Sequence, residues 1–180
     1  IERLDGHSGA QYFGRGFEAG IARASDRAVY WYLSLRADHV ARLGGVDHPR
    51  ALLEQAMAPF HQPVRALVER TPDDDLRLDM LMRRDPLPFW GQGRVTLLGD
   101  AAHPMLPHAG QGAAQAIEDA LTLGRVVTPD VPVDAALRRY EAIRMPRAHA
   151  LVALSARNAR MGSIEGAVGC TLRDLAIRLI

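Results

Sequence analysis

The period of the hydrophobic positions changes along this chain. In the first third, short apolar runs at Tyr12 to Phe17, Gly20 to Ala24 and Ala28 to Leu35 are separated by Gly, Ser and Asp, the punctuation of strands joined by turns. The third run, Ala28-Val-Tyr-Trp-Tyr-Leu-Ser-Leu35, is aromatic and β-branched, which predicts a strand covered on both faces. Alternation puts Tyr30 and Tyr32 on one of those faces and Trp31 and Leu33 on the other. After Gly44-Gly45 the period lengthens. Pro49 to Phe60 and Val64 to Arg70 read as short helices, the second opening after Pro63. Leu76, Leu78, Met80 and Met82 alternate with Arg77, Asp79, Leu81 and Arg83, which predicts a strand with one mostly polar face.

A composition break at Asp85-Pro-Leu-Pro88 opens a second part. Arg94-Val-Thr-Leu-Leu98 predicts a compact strand ending in Gly99-Asp100, followed by a Pro- and Gly-rich loop from His103 to Gly112. From Ala113 to about Val127 the residues are strong helix formers. Their small members, Ala113, Ala116, Ala120 and Gly124, fall on one stripe suited to close packing against a sheet. Pro132 and Asp134 open a long helical stretch through Arg160, which Pro146 should kink or break. A last helix is expected from Leu172 to Ile180. From residue 136 onward eight Arg face three acids, a pattern read as a solvated helix face or a contact surface.

At 180 residues the length corresponds to roughly one domain. The composition, 48% hydrophobic and 24% charged, is that of a soluble globular protein. No window approaches the ~20 apolar residues of a membrane span, and the first ten residues do not form a secretion signal, so a cytoplasmic protein is expected. A net charge of +1 provides no field to recruit nucleic acid or anionic lipid. Cys170 is the one cysteine, which excludes an internal disulfide framework. The start at Ile1 rather than Met leads to the expectation of a missing upstream portion.

The order strand, Gly-Asp, proline-rich loop, Gly-x-Gly, helix has chemical content. Ligands of open α/β sheets sit beyond the carboxyl ends of strands, where Gly99-Asp100 would lie. The Asp100 carboxylate accepts hydrogen bonds from sugar or polyol hydroxyls. Gly110 and Gly112 lack Cβ atoms, so a flat ring fits against the backbone there. The first amides of the following helix are suited to stabilise negative charge. A ligand with hydroxyls at one end and an electron-accepting planar ring at the other fits this arrangement, and flavin is such a ligand. Other motifs carry less. Gly14-Arg-Gly16-Phe-Glu-Ala19 matches a dinucleotide fingerprint formally, but a strand-like run follows in place of a helix, so a β-turn is expected. Asp100, His103 and His108 are separated by two prolines and lack a supporting cysteine or second carboxylate cluster, so no metal is assigned. His103 is expected instead to fix the loop. Asp73-Asp74-Asp75 reads as a solvated turn. Glu118 and Asp119 sit early in their helix, where acids add ~0.3–1 kcal/mol. No nucleophile motif is present, and no catalytic residue is assigned.

The run from Gly93 to Leu121, containing Leu98-Gly-Asp-Ala-Ala-His-Pro104 and His108-Ala-Gly-Gln-Gly-Ala113, closely resembles the second flavin motif of single-component FAD-dependent aromatic monooxygenases. These are the para-hydroxybenzoate hydroxylase-like enzymes, with the salicylate and 6-hydroxynicotinate hydroxylase branch nearest. Almost thirty consecutive positions fit without a gap. Gly14-Arg-Gly16, Val29-Tyr-Trp31, Phe89-Trp90, Tyr140-Glu141 and Arg144 extend the resemblance over most of the chain.

The resemblance implies a mixed α/β (α+β) chain, part of an FAD/NAD(P)-binding fold of the para-hydroxybenzoate hydroxylase type. Residues 1–85 would be substrate-domain sheet and short helices, 86–130 the FAD-binding return, and 131–180 C-terminal helices. Asp100 would hold the ribityl hydroxyls of FAD. Pro107 would sit near the isoalloxazine edge, lined by Gly110, Gln111, Gly112 and Ala113, and Tyr30 and Tyr32 would be candidate substrate contacts. In such enzymes NADH or NADPH reduces the flavin, O2 adds at C4a, and the hydroperoxide hydroxylates a small aromatic substrate. The Rossmann strand with G-x-G-x-x-G and the later Asp-Gly motif of the family do not occur here. The expected partner is therefore an N-terminal half of the same enzyme. Two other readings stay open: a non-catalytic module that retains the signature, and an oxidase or reductase of the same superfamily. Substrate identity and oligomeric state stay open as well.

Overall fold

Three antiparallel strands, β1 (Gly9–Phe13), β2 (Phe17–Arg23) and β3 (Val29–Leu35), form a meander in sequence order. The computed structural model describes residues 9–60 and 64–179. Pro63 and Ile180, expected to open one helix and close another, lie outside them. The chain divides into two compact units, Ile1–Asp79 with Met161–Ile180, and Met80–Arg160.

In the first unit the sheet packs one face on short helices. α1 (Ala37–Arg42), α2 (Pro49–Met57) and α3 (Val64–Arg70) follow β3. Ala19, Ile21, Met57, Val64 and Val68 form the core, with Tyr12, Val29, Trp31 and Leu33 packed against it. The Trp31 indole N–H donates to Thr71 Oγ1 at 3.0 Å, so the ring is buried without leaving its polar atom unpaired. The alternation expected of β3 holds, but its coverage on both faces does not: Tyr30 is 61% exposed. The short helices α2 and α3 cover the Trp31 side. Opposite them lie Glu18, Gly20, Tyr30 and Tyr32, since Gly20 pairs with Tyr32 and Ala22 with Tyr30. A Cβ on Gly20 would stand 2.2 Å from the Tyr32 ring, so that ring lies across the bare backbone of β2.

The run from Tyr12 to Phe17 is not one strand. Gly14-Arg15-Gly16 turns the chain between β1 and β2, with the Gly14 amide donating to the Phe17 carbonyl at 2.8 Å and Gly16 at φ +84°. The dinucleotide-like motif is thus a hairpin turn, as its context indicated. The last helix, α6 (Ala167–Arg178), begins before the expected Leu172. It anchors the turn, because Arg173 Nη1 donates to the Gly14 carbonyl at 2.9 Å and the guanidinium lies 5.1 Å from the Phe13 ring.

The strand expected from Leu76 to Met82 is absent. That segment is irregular, with Leu78, Met80 and Met82 exposed. Alternation makes a strand only where a neighbour accepts its backbone hydrogen bonds, and no described strand lies alongside.

In the second unit β4 (Gly91–Gln92) and β5 (Val95–Thr96) form a minimal hairpin about Gly93, φ +55°. The strand expected over residues 94–98 is thus only two residues long, although Leu97 still donates its amide to the Trp90 carbonyl at 3.1 Å. Two helices follow, α4 (Gly112–Val126) and α5 (Val133–Gly162). α5 passes Pro146 unbroken. The carbonyl that Pro146 leaves without a partner belongs to Ala142, which is exposed, so solvent can serve it. Trp90, Ala102, Val126, Ala136, Tyr140 and Ala148 form the core of this unit. The small stripe of α4 is not its buried face among the described residues: Ala113, Ala120 and Gly124 are exposed or partly so, while Gln115, Asp119 and Val126 are buried. The arginine-rich C-terminal third is not uniformly solvated either, since Arg144 and Arg173 are buried. Among the described residues no helix is long and apolar enough to cross a membrane.

Candidate functional site

The loop between β5 and α4 is built on two left-handed glycines. Leu98 is extended, and Gly99 reverses the chain at φ +56°, opening a short 3₁₀ turn, Gly99–Ala101. A side chain there would be strained, and its Cβ would meet Ala116 Cβ at 3.4 Å. A second 3₁₀ turn, Pro107–Ala109, ends at Gly110, φ +61°. Gln111 then starts α4 without a side-chain cap, which leaves the first amides of a 15-residue helix open at the positive end of its dipole.

The structure places the candidate flavin contacts at the surface of this unit. Asp100, Pro107, Gly110 and Ala113 are exposed, and Gln111 and Gly112 are half-buried. No atom lies within 4 Å of where a Cβ would stand on Gly110 or Gly112. One loop–helix junction therefore presents a carboxylate, bare backbone and uncapped amides together. Tyr30 and Tyr32 belong to the other unit, on the sheet face opposite Trp31 and Leu33.

Behind the loop lies a buried polar network. Asp119 accepts from the Gly99 amide at 2.8 Å, from His103 Nε2 at 2.7 Å and from Arg144 Nε at 2.7 Å. A carboxylate only accepts, so His103 carries its proton on Nε2. Arg144 also donates to Glu118 Oε2 at 2.7 Å, to the Gln115 side chain at 2.8 Å and to the Gln115 carbonyl at 3.2 Å. Arg147 adds a bidentate pair to Glu118 at 2.7 and 2.8 Å. From α5, Ser155 donates to the Leu106 carbonyl and Asn158 to the His108 carbonyl, the latter at 3.0 Å. Arg84 holds the Ala101 and Ala102 carbonyls at 2.7 and 3.1 Å. Every turn of the loop is thus tied to α4, α5 or the preceding segment. That rigidity is what a site on a loop needs if it is to hold a ligand in one geometry.

Asp119 and Arg144 have roles that local sequence patterns do not reveal. The acid expected merely to favour a helix N-terminus is the hub of the network, and Arg144, from a stretch expected to be a solvated helix face or a contact surface, is its buried partner. The available signal was the spacing of Gln115 and Asp119, four apart on one face of α4, against Arg144 and Arg147, three apart on α5. A polar stripe carrying an acid on one helix and two arginines on the next imply that they face each other. His103 does fix the loop as expected, by way of Asp119.

The carboxyls of the network are held below their ordinary range. Bonding to Arg147 pulls Glu118 down to about 2. Burial opposes ionisation of Asp119, yet Arg144, the Gly99 amide and His103 together keep its pKa lowered. A depressed carboxyl contributes stability that is fully present above its unfolded pKa of ~4 and is lost as pH falls through the folded value. The unit is therefore expected to lose stability between about pH 4 and 2, measured by circular dichroism at stepped pH. Asp119→Asn should make that acid limb shallower.

Residues 22–155 match the FAD binding domain family. The chain is 38% identical over 173 residues to an aurachin C monooxygenase/isomerase of Stigmatella aurantiaca, covering 95% of this chain and 44% of that one. It is 42% identical over 127 residues to a 6-hydroxynicotinate 3-monooxygenase of Bordetella bronchiseptica, covering 69% of this chain and 33% of that one. Among solved structures, Klebsiella pneumoniae HpxO complexed with FAD and uric acid superposes with a TM-score of 0.77 at 29% identity, over 91% of this chain and 43% of that one. The chain thus spans less than half the length of these relatives. With a family model matched over most of its length, the chain belongs to the FAD binding domain family.

Proposed function

We propose that the chain is the C-terminal part of an FAD-dependent monooxygenase that hydroxylates a small aromatic substrate with NADH or NADPH and O2. The observation that carries this reading is the loop–helix junction from Asp100 to Ala113, open at its surface and braced by Asp119 behind. Its residues fit FAD. In this reading the exposed Asp100 accepts hydrogen bonds from the ribityl hydroxyls. The uncapped amides at Gly112 and Ala113 suit the electron-rich edge of a reduced ring, Gly110 and Gln111 offer backbone groups, and Pro107 borders the ring edge. FAD, when bound, supplies the electron transfer and oxygen chemistry that no side chain of this chain can supply.

In this reading residues 1–85 contribute substrate-side sheet, 86–130 the FAD return and 131–180 the closing helices. An N-terminal half provides the remaining FAD contacts, and the free, buried Cys170 suits a cytoplasmic setting. Tyr30 and Tyr32 are the proposed substrate contacts. Tyr30 is exposed and Tyr32 rests on Gly20, so truncating each has a different consequence. Tyr30→Ala is expected to raise KM for the aromatic substrate about tenfold, the loss of ~1.4 kcal/mol of ring contact, at an unchanged melting temperature. Tyr32→Ala should lower both substrate affinity and stability.

The test uses the chain joined to its N-terminal half. The product should purify yellow and oxidise NADH or NADPH faster when an aromatic substrate is added, with oxygen inserted into the ring. A colourless product overturns the reading. Flavin turnover without oxygen insertion reassigns the protein to an oxidase or reductase.

A further inference from the structure

The first unit contains an open cavity of about 550 Å³, and none of its lining residues is a candidate flavin or substrate contact. Its walls come from the hairpin turn at Gly14 and Arg15, from His39 of α1, from Phe60 after α2 and from the first turns of α6. The floor is apolar, with Phe17 and Cys170 both buried. The Phe17 ring stands edge-on to Phe60, centroids 5.4 Å apart, and to His39 at 5.3 Å. Gly14 makes that placement possible, since a Cβ there would lie 2.2 Å from the Phe17 ring. The rings are therefore fixed against one another and against bare backbone.

The charges at the cavity select its occupant. Arg173 is already engaged, paired with Asp174 at 2.9 Å and donating to the Gly14 carbonyl at 2.9 Å. The nearby Glu165 is held by Arg42 at 2.6 Å. Arg15 is exposed and makes no hydrogen bond or ion pair with any described residue. The cavity thus joins fixed ring edges to one uncompensated guanidinium. We propose that it binds a small planar aromatic monoanion, with the ring against Phe17 and Phe60 and the carboxylate on Arg15. A carboxylate takes two parallel N–H bonds from one guanidinium, and ring edges favour a further ring. A cavity of this size admits a one- or two-ring molecule. A cation would be repelled, and an uncharged aromatic would keep the ring contacts but forgo the charge-assisted bonds. This inference does not depend on the ligand that the Asp100 loop binds.

Calorimetric titration of the chain joined to its N-terminal half tests it, with naphthoate and its uncharged analogue naphthamide as probes. One saturable site is expected for naphthoate, with naphthamide binding about tenfold more weakly. Arg15→Ala should reduce the acid to the affinity of the amide. The melting temperature should not move, because the Arg15 side chain bonds no described residue. Thr171→Trp, at an exposed position on the α6 wall, should exclude both probes by filling the cavity. No saturable naphthoate binding, equal affinities for acid and amide, an acid affinity unchanged in Arg15→Ala, or binding that survives in Thr171→Trp overturns the proposal.

Discussion

Arg144→Ala is expected to lower the melting temperature by roughly 6–20 °C. That range follows from about 3–5 kcal/mol for removing one member of a buried ion pair, at about 2–4 °C per kcal/mol in a chain of this size. The size of the effect comes from what the substitution leaves behind. Asp119 would keep its place in the interior with a buried charge and one oxygen unpaired, and Gln115 would lose the guanidinium that holds its side chain. Arg144→Lys should recover little, because one ammonium cannot reproduce a guanidinium that reaches Asp119, Glu118 and Gln115 at once. Arg147→Ala is the control. That side chain is 58% exposed and its pair with Glu118 lies near solvent, so little change in melting temperature is expected. Thermal unfolding by circular dichroism reads all three variants. Similar losses for Arg144→Ala and Arg147→Ala would mean that the brace is not the buried network described.

Asp100→Ala is expected to act differently, on binding rather than stability. A charge-assisted hydrogen bond is worth about 1.5–3 kcal/mol, so losing the proposed ribityl acceptor should weaken FAD binding roughly 10–150-fold. Asp100 is exposed and outside both cores, so the melting temperature of the flavin-free protein should not move. Gly110→Val is expected to act on both stability and binding. Its left-handed backbone (φ +61°) disfavours a branched side chain by about 1–2 kcal/mol, and the new methyls would enter the open space beside the loop. Together, Asp100→Ala and Arg144→Ala separate the proposed ligand surface from the network that supports it. Flavin fluorescence quenching measures the first and thermal unfolding the second.

The same contrast marks what local sequence can carry. The order of turn, loop and helix around Gly99 to Gly112 is legible because it rests on Gly and Pro, whose backbone preferences are intrinsic. The two faces of β3 are legible for a similar reason, since a period of two needs no knowledge of neighbours. The brace is different. Asp119 and Arg144 are 25 positions apart, and nothing local distinguishes a buried acid in α4 from a solvated one. Leu76 to Met82 fails in the complementary way, with a sound alternation and no described strand to pair with. The small stripe of α4 predicts a packing face because apolar size usually decides burial. Here Gln115 and Asp119 turn inward instead, because Arg144 meets them there.

Whether the Asp100–Ala113 junction is a flavin surface is decided most directly by titrating FAD into the flavin-free protein, as the chain joined to its N-terminal half. Saturable binding with quenched flavin fluorescence is expected, and a dissociation constant raised roughly 10–150-fold by Asp100→Ala. No binding by the wild type, or equal affinity of the wild type and Asp100→Ala, would contradict it.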